Sequence, residues 1–258
     1  MELSLPKSYN NKIIKAIAEF NLIEEGDNIL VGLSGGKDSA FLLYALTILR
    51  RNLAVNFNLS ALTVDLGFAG SDFASLKDFC QKLGIPYYIK RTEIAEYILD
   101  EKVDNPCAKC AHFRKGAMAE FMKEHGFNKV AFGHHYDDAV ETFLMSIIYS
   151  GQIMTLKPKR HLSHNDIFII RPLIYLREKK IIEAGKLMGF KPLESPCPYD
   201  GRTVRAEIRA LIREKQIFFN LAGAMRQGTS MELWPEEPPR EELAAKMNEL
   251  WTGKNNKS

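Results

Sequence analysis

Two hydrophobic rhythms alternate along the chain. NKIIKAIAEFNLI carries apolar residues at helical spacing, Gly26-Asp27 interrupts it, and NILVGL follows as a short apolar run suited to a buried strand. After the polar SGGKDS comes AFLLYALTILRR, a helical pattern whose closing arginines suit the negative end of a helix dipole. LSALTVDLGF predicts a second strand, DFASLKDFCQKLG a helix, PYYIKR a strand, residues 112–125 a helix, and NKVAFGHH a strand. DDAVETFLMSIIYSG predicts another helix, and the basic, polar KPKRHLSHND separates it from a last strand at IFIIRPL. REKKIIEAGKLMG and TVRAEIRALIREKQIFFNLAGAM then read as mostly helical. Strands alternating with helices predict an α/β fold, a parallel sheet covered by helices on both faces, with a mostly helical C-terminal part.

From about residue 228 the composition turns to WPEEPPREE, a short helical pattern and the polar end GKNNKS. The expected organisation is one main unit, 1–227, and a C-terminal appendage, 228–258. At 258 residues, 46% apolar and 26% charged, the chain can bury a full core, and its formal charge of +3 permits a nucleic-acid partner without demanding one. The start, MELSLPKSYNNKIIKAIAEF, lacks the pattern of a secretory leader, and no apolar run approaches the roughly 20 residues needed to span a bilayer, so no membrane partner and a cytoplasmic location are expected. Thiols stay reduced there, which makes Cys80, Cys107, Cys110 and Cys197 packing, catalytic or metal-binding residues rather than a disulfide framework.

The chemistry concentrates in a few stretches. SGGKDS sets a glycine-rich turn between a buried strand and a helix, where Gly35 and Gly36 let backbone approach an anion. Ser34 and Ser39 add hydroxyls and Lys37 a charge, while the spacing of a Walker loop is absent. In VAFGHHYDDAVETFLM, a strand runs into Gly133-His134-His135 and two carboxylates precede a helix; in a doubly wound sheet this places Asp137 and Asp138 across from residues 34–39. Paired carboxylates near phosphates suit Mg²⁺; an Asp pair capping a helix is the alternative. Asp65 ends another strand, where nearby backbone could meet an adenine or ribose. Cys107 and Cys110 stand three apart; zinc, an iron-sulfur cluster and simple packing all fit that spacing. Cys80 sits among apolar residues at helical spacing and reads as core, with persulfide carriage as the alternative. Lys157, Lys159, Arg160, His161, Arg202, Arg205, Arg209 and Arg213 are candidate phosphate contacts, the last three recurring every four residues on one helix face.

In its strand-loop-helix setting SGGKDS resembles the PP-loop of the N-type ATP pyrophosphatases, adenine nucleotide alpha hydrolase-like enzymes that cleave ATP to AMP and pyrophosphate while activating a substrate oxygen. Together with CAKCAHFRKG, GHHYDDAVETF, RPL at 171–173 and the late Pro-Cys of ESPCPYDG, it resembles the iron-sulfur tRNA thiolation branch of that family. That branch holds the TtcA-like tRNA 2-thiocytidine synthetases and the related TtuA-type tRNA 2-thiouridine synthetases. The resemblance runs from about residue 26 to 213. It implies a [4Fe-4S] cluster on Cys107, Cys110 and Cys197 with one iron lacking a protein thiolate. It implies ATP on Ser34, Gly35, Gly36, Lys37, Asp38, Ser39, Asp65, Gly133, His134 and Asp138, with Mg²⁺ near Asp38, and catalytic roles for Asp38, Asp137, Arg114 and the three cysteines. The implied reaction adenylates the C2 oxygen of a tRNA pyrimidine and replaces it with sulfur from sulfide or a persulfide carrier; a homodimer is compatible with it. Cytidine is favoured because the paired zinc-finger cysteines of the thiouridine branch are absent at both ends, although Tyr199 and Asp200 stand where thiocytidine enzymes often carry a further cysteine. A PP-loop tRNA ligase or amidation-type enzyme with structural zinc, and a non-catalytic nucleotide- or RNA-binding module, are the rival readings.

Overall fold

The computed structural model describes residues 3–100, 103–163, 166–194, 196–199, 204–226 and 233–251. Six strands, β1 (Asn28–Gly32), β2 (Asn58–Asp65), β3 (Tyr87–Arg91), β4 (Lys129–Ala131), β5 (Lys159–Leu162) and β6 (Ile167–Ile170), form one sheet in the order β3-β2-β1-β4-β6-β5. Neighbours pair in parallel except β5, which runs antiparallel along β6. Side chains alternate between faces along each strand, and two separate cores result. Ile29, Val31, Ala131 and Ile170 belong to one. Leu30, Val130 and Ile169 belong to the other.

The larger core is covered by α1 (Lys7–Phe20), α2 (Lys37–Leu49), α3 (Ala74–Leu83), α6 (Tyr136–Ser150) and α7 (Glu178–Met188), with α8 (Val204–Glu214) and α9 (Phe218–Ala224) outside them. Every residue of α2 from Ser39 to Leu49 is buried, which explains a pattern apolar all round. The smaller core is covered by α4 (Ile94–Ile98) and α5 (Pro106–Glu124). The expected α/β fold with helices on both faces is therefore observed.

Three local features differ from the sequence expectation. The basic stretch before β6 holds a strand, β5, whose Arg160 and His161 are exposed, as an edge strand permits. The short α4 has no counterpart in the sequence reading. Helix α5 begins at Pro106, six residues ahead of the expected start, so Cys107 and Cys110 lie at its N-terminal end.

Within 228–258, expected as an appendage, the described residues pack on the main body. Leu233 and Trp234 sit in the larger core, and the indole N–H of Trp234 donates to the Leu156 carbonyl at 3.0 Å. Helix α10 (Arg240–Leu250) packs on α1, and Trp251 bridges antiparallel to Leu53. Among the described residues no helix is long and apolar enough to cross a membrane.

The strand order fixes where a ligand can sit. From β1 the chain proceeds outward to β2 on one side, and β4 pairs with β1 on the other. The loops leaving β1 and β4 diverge there, opening a crevice at the carboxyl ends of the strands.

Candidate active site

The loop after β1 is held in shape by its own side chains. Gly35 has φ +85°, a left-handed conformation that L side chains rarely adopt, and a Cβ there would also stand 3.1 Å from Leu193. The Ser34 and Ser39 hydroxyls lie 3.1 Å apart; the Ser39 hydroxyl accepts from the Ser34 N–H at 3.1 Å and donates to the Gly36 carbonyl at 3.0 Å. Gly36 occupies the N-cap of α2 without a side-chain cap, leaving the first-turn N–H groups turned to the crevice for an anion.

The loop after β4 presses against this turn. A Cβ on Gly133 would fall 2.7 Å from the Asp38 carbonyl carbon and 2.9 Å from the Ser39 nitrogen, so only glycine allows the two backbones to meet. The loops after β1 and β4 thus meet at Gly133, Asp38 and Ser39. His135 then caps α6 in a capping box: its N–H donates to Asp138 Oδ2 at 2.9 Å and its Nδ1 accepts from the Asp138 N–H at 3.4 Å.

The carboxylates differ in what they leave open. Both oxygens of Asp137 accept from Arg177 at 2.9 to 3.1 Å, and Oδ2 also accepts from the Glu178 N–H at 2.8 Å. Burial would raise its pKa, but Arg177 and the Glu178 N–H hold it below the ordinary aspartate value. Asp138 is committed to its cap. Asp38 Oδ2 accepts from Lys37 at 3.0 Å, while Oδ1 is buried with no hydrogen-bond partner and lies 3.9 Å from His135 Nε2. Lys37 is shared with Glu178 at 3.2 Å, and these two carboxylates raise its pKa against the pull of burial. His134 also keeps a buried, unpartnered Nδ1; burial, reinforced by Arg171, pushes its pKa down to about 4, so it is neutral near pH 7. Asp65 sits one strand over, accepting from the Gly67 N–H at 3.0 Å and bordering a concavity of about 290 Å³ together with Asp72, Lys77 and Arg91. Arg177 and Glu178 escaped sequence reasoning, since nothing local in LREKK marks the partner of Asp137.

The cysteines separate into two kinds. Cys80 is fully buried and its thiol is pushed up to about 12 by burial, which makes it packing. Cys107 is exposed and Cys110 buried, both at the N-terminal end of α5, where the helix dipole favours negative charge. Burial raises the Cys110 pKa, Arg114 opposes it, and Cys197 and Cys107 raise it further. The three thiols and Arg114 therefore share one electrostatic neighbourhood. Among the described residues, no three His, Cys, Asp or Glu side chains are close enough to hold a single metal ion. Four residues before Cys197, the Leu193 N–H donates to the Gly35 carbonyl at 3.0 Å, which ties Leu193 to the phosphate loop.

The basic candidates are partly spoken for. Arg209 binds Glu141 at 2.6 Å and Arg205 binds it at 3.4 Å, and Glu141 is almost fully buried. Arg213 is 71% exposed, with one long contact to Glu178 at 3.5 Å. Lys159 donates to the Asn21 carbonyl at 2.6 Å, and His161 pairs with Asp166 at 2.9 Å. Arg202 and Asp200 lie outside the described residues.

Comparison with known proteins identifies the family. The PP-loop domain model matches residues 6–215. A tRNA-cytidine(32) 2-sulfurtransferase of Geobacter metallireducens is 33% identical over 212 residues, covering 81% of this chain and 82% of the relative. One from Legionella pneumophila, strain Philadelphia 1, is 37% identical over 224 residues, covering 83% and 78%. Among solved structures, the U34-tRNA thiolase NcsA from Methanococcus maripaludis, with its [4Fe-4S] cluster, aligns with a TM-score of 0.67 at 24% identity, over 83% of this chain and 75% of that one, a likeness of fold. The chain accordingly belongs to the PP-loop domain family, together with the tRNA-cytidine(32) 2-sulfurtransferases.

Proposed function

We propose that the protein is an ATP-dependent tRNA sulfurtransferase that replaces the C2 oxygen of an unpaired pyrimidine, cytidine by preference, with sulfur and releases AMP and pyrophosphate. The observation that carries this reading is that Leu193 bonds to the phosphate loop while Cys197, four residues on, interacts electrostatically with Cys110. An oxygen-activating site and a sulfur-handling site thereby adjoin. The names and degree of similarity of the relatives support the same substrate class.

The α2 N–H groups, Lys37 and the hydroxyls of Ser34 and Ser39 bind the ATP phosphates, and the open Oδ1 of Asp38 provides a hard oxygen ligand for Mg²⁺. The C2 oxygen of the base attacks the α-phosphorus, the bond to pyrophosphate breaks, and fixed N–H dipoles stabilise the charge that develops. The oxygen now leaves as part of AMP when a sulfur nucleophile adds to C2. A [4Fe-4S] cluster held by Cys107, Cys110 and Cys197 would supply a site for that sulfur, donated as sulfide or by a persulfide carrier whose reduction by a thiol leaves a disulfide. Arg114, exposed on α5 and close to Cys110, balances the negative charge of the thiolates. Neutral His134 offers a hydrogen-bonding ring in the crevice without adding positive charge.

The test is turnover of anaerobically purified protein with ATP, sulfide and tRNA lacking the modification, read by nucleoside mass spectrometry. One AMP and one pyrophosphate per 2-thiocytidine are expected. An amidated or lysine-bearing product would overturn sulfur transfer; 2-thiouridine would overturn the choice of base.

A further inference from the structure

The outer surface of α4 and α5 carries an aromatic pair that the chemistry above does not use. Tyr97 and Phe113 meet edge to face, with ring centroids 5.0 Å apart and planes at 82°. Both stay open to solvent, 46% and 40% exposed. Lys109 Nζ stands 5.9 Å from the Tyr97 ring centre, and the His112 ring lies 5.7 Å from Phe113. Below the pair, Ile94, Ile98 and Cys110 are buried in the smaller core, so the rings rest on a firm base. Position matters as much as composition. Helix α5 returns the chain from β3 to β4, both members of the parallel set, and so runs against the strands; its first turns lie at their carboxyl ends, as the phosphate loop does. Phe113 follows Cys110 by one helical turn.

We infer that Tyr97 and Phe113, with Lys109, form a stacking platform for an unpaired nucleobase flanking the target pyrimidine in the RNA substrate. This rests on the sulfurtransferase reading, because the target base itself must reach the thiols and the α-phosphate. A base turned out of its helix exposes its ring faces, and proteins commonly hold such bases against aromatic side chains and cations. The charge pattern fits a ring better than a phosphate track. The cations Lys109, Arg114 and Lys115 come from α5, whereas α4 presents the exposed acids Glu93 and Glu96. A second copy of the chain fits poorly, since two half-exposed rings fall far short of the roughly 800 Å² per partner that a stable interface buries.

The experiment measures affinity of the full-length protein for a fluorescently labelled stem-loop RNA with an unpaired cytidine, and for a fully paired duplex of the same length. Tyr97→Ala and Phe113→Ala should each weaken stem-loop binding by about tenfold, with duplex binding unchanged. Tyr97→Phe and Phe113→Tyr should bind within about twofold of the parent, because stacking needs the ring. Unchanged stem-loop affinity in both alanine variants, with the parent's thermal stability, overturns the platform. So does loss of stem-loop and duplex binding in equal measure, and so does a shift in sedimentation with no change in RNA affinity, which would mark a protein interface. Thiocytidine formation by the parent protein is scored separately: its failure would sink the sulfurtransferase reading, whereas a thiolating parent with indifferent alanine variants would sink only the platform.

Discussion

The phosphate end and the cysteine end of the site share one edge of the sheet but are held by opposite means. At the phosphate end backbone meets backbone: Gly133 lies against Asp38 and Ser39, and the Ser34 and Ser39 hydroxyls close the turn. Nothing there waits for a ligand to take shape. At the cysteine end the thiols come from a helix start and from a distant segment reached through Leu193, with Cys107 exposed. The first region is organised by covalent geometry and packing, which suits a phosphate cradle used at every turnover. The second draws on two distant stretches of chain, with Cys110 packed in the smaller core and Cys107 exposed on the same helix.

The sharpest way to break this comparison removes one key group from each end. Asp38→Ala should lower pyrophosphate release on the order of 10² to 10³-fold, the usual cost of deleting one preorganised electrostatic group, while the visible absorption of the proposed iron-sulfur cluster remains. Cys197→Ala should do the converse, losing the chromophore and thiolation but keeping ATP binding by calorimetry. Loss of both properties in both variants would show that the two ends are not separately built.

A smaller effect comes from adding one methyl group at each end. Gly133→Ala forces a Cβ to within 2.7 Å of backbone and should destabilise by about 1–3 kcal/mol in chemical denaturation, with weaker ATP binding. Gly116→Ala, on α5 with nothing within 4 Å of the new methyl, should stabilise by about 0.5–1 kcal/mol through helix propensity. A neutral Gly133→Ala would mean that the loops can separate.

How much of this was legible in the sequence follows the same division. Apolar runs announced β1 to β4 and β6, and the glycines of SGGKDS announced a backbone turn, because those signals are local. Strand β5 was hidden because an edge strand with exposed Arg160 and His161 carries no apolar alternation. The start of α5 was missed although its mark was present: Asn105 takes a left-handed conformation at the N-cap and Pro106 opens the first turn. The sequence also named Asp137 without its partner, since Arg177 lies 40 residues away and only the fold brings the two together. Arg205 and Arg209 looked like free cations for the same reason; their partner, Glu141, is buried on another helix.

A pH experiment sharpens the account of the crevice. His134 titrates at about 4 in the folded chain against 6.5 for the ordinary group, so between those values the unfolded chain binds more protons. Stability therefore falls as pH drops from about 6.5 toward 4, at up to about 1.4 kcal/mol per pH unit from this group, and the contribution levels off below. Asp137 adds in the same direction lower down: its folded pKa lies below 3.8, so its stabilisation is complete above that value and fades as pH falls through the folded one. Denaturation curves of His134→Asn should lose the upper slope and retain the lower. An unchanged upper slope would place His134 in contact with solvent.

The smallest expected effect separates arginines that build the site from one that is free to meet RNA. Arg205, Arg209 and Arg213 lie on one face of α8, but the first two neutralise a buried carboxylate and their removal would disturb the fold. Arg213 is mostly exposed and its contact to Glu178 is long, so Arg213→Ala should change stability by less than about 0.5 kcal/mol. If Arg213 meets a phosphate, its loss releases one fewer counterion on binding, and the slope of log affinity against log salt should shrink by about 0.7 for a single-stranded loop. Binding measured across a salt series reads this slope independently of protein stability. A slope equal to that of the parent would assign Arg213 to solvent and exclude it from contact with an RNA phosphate.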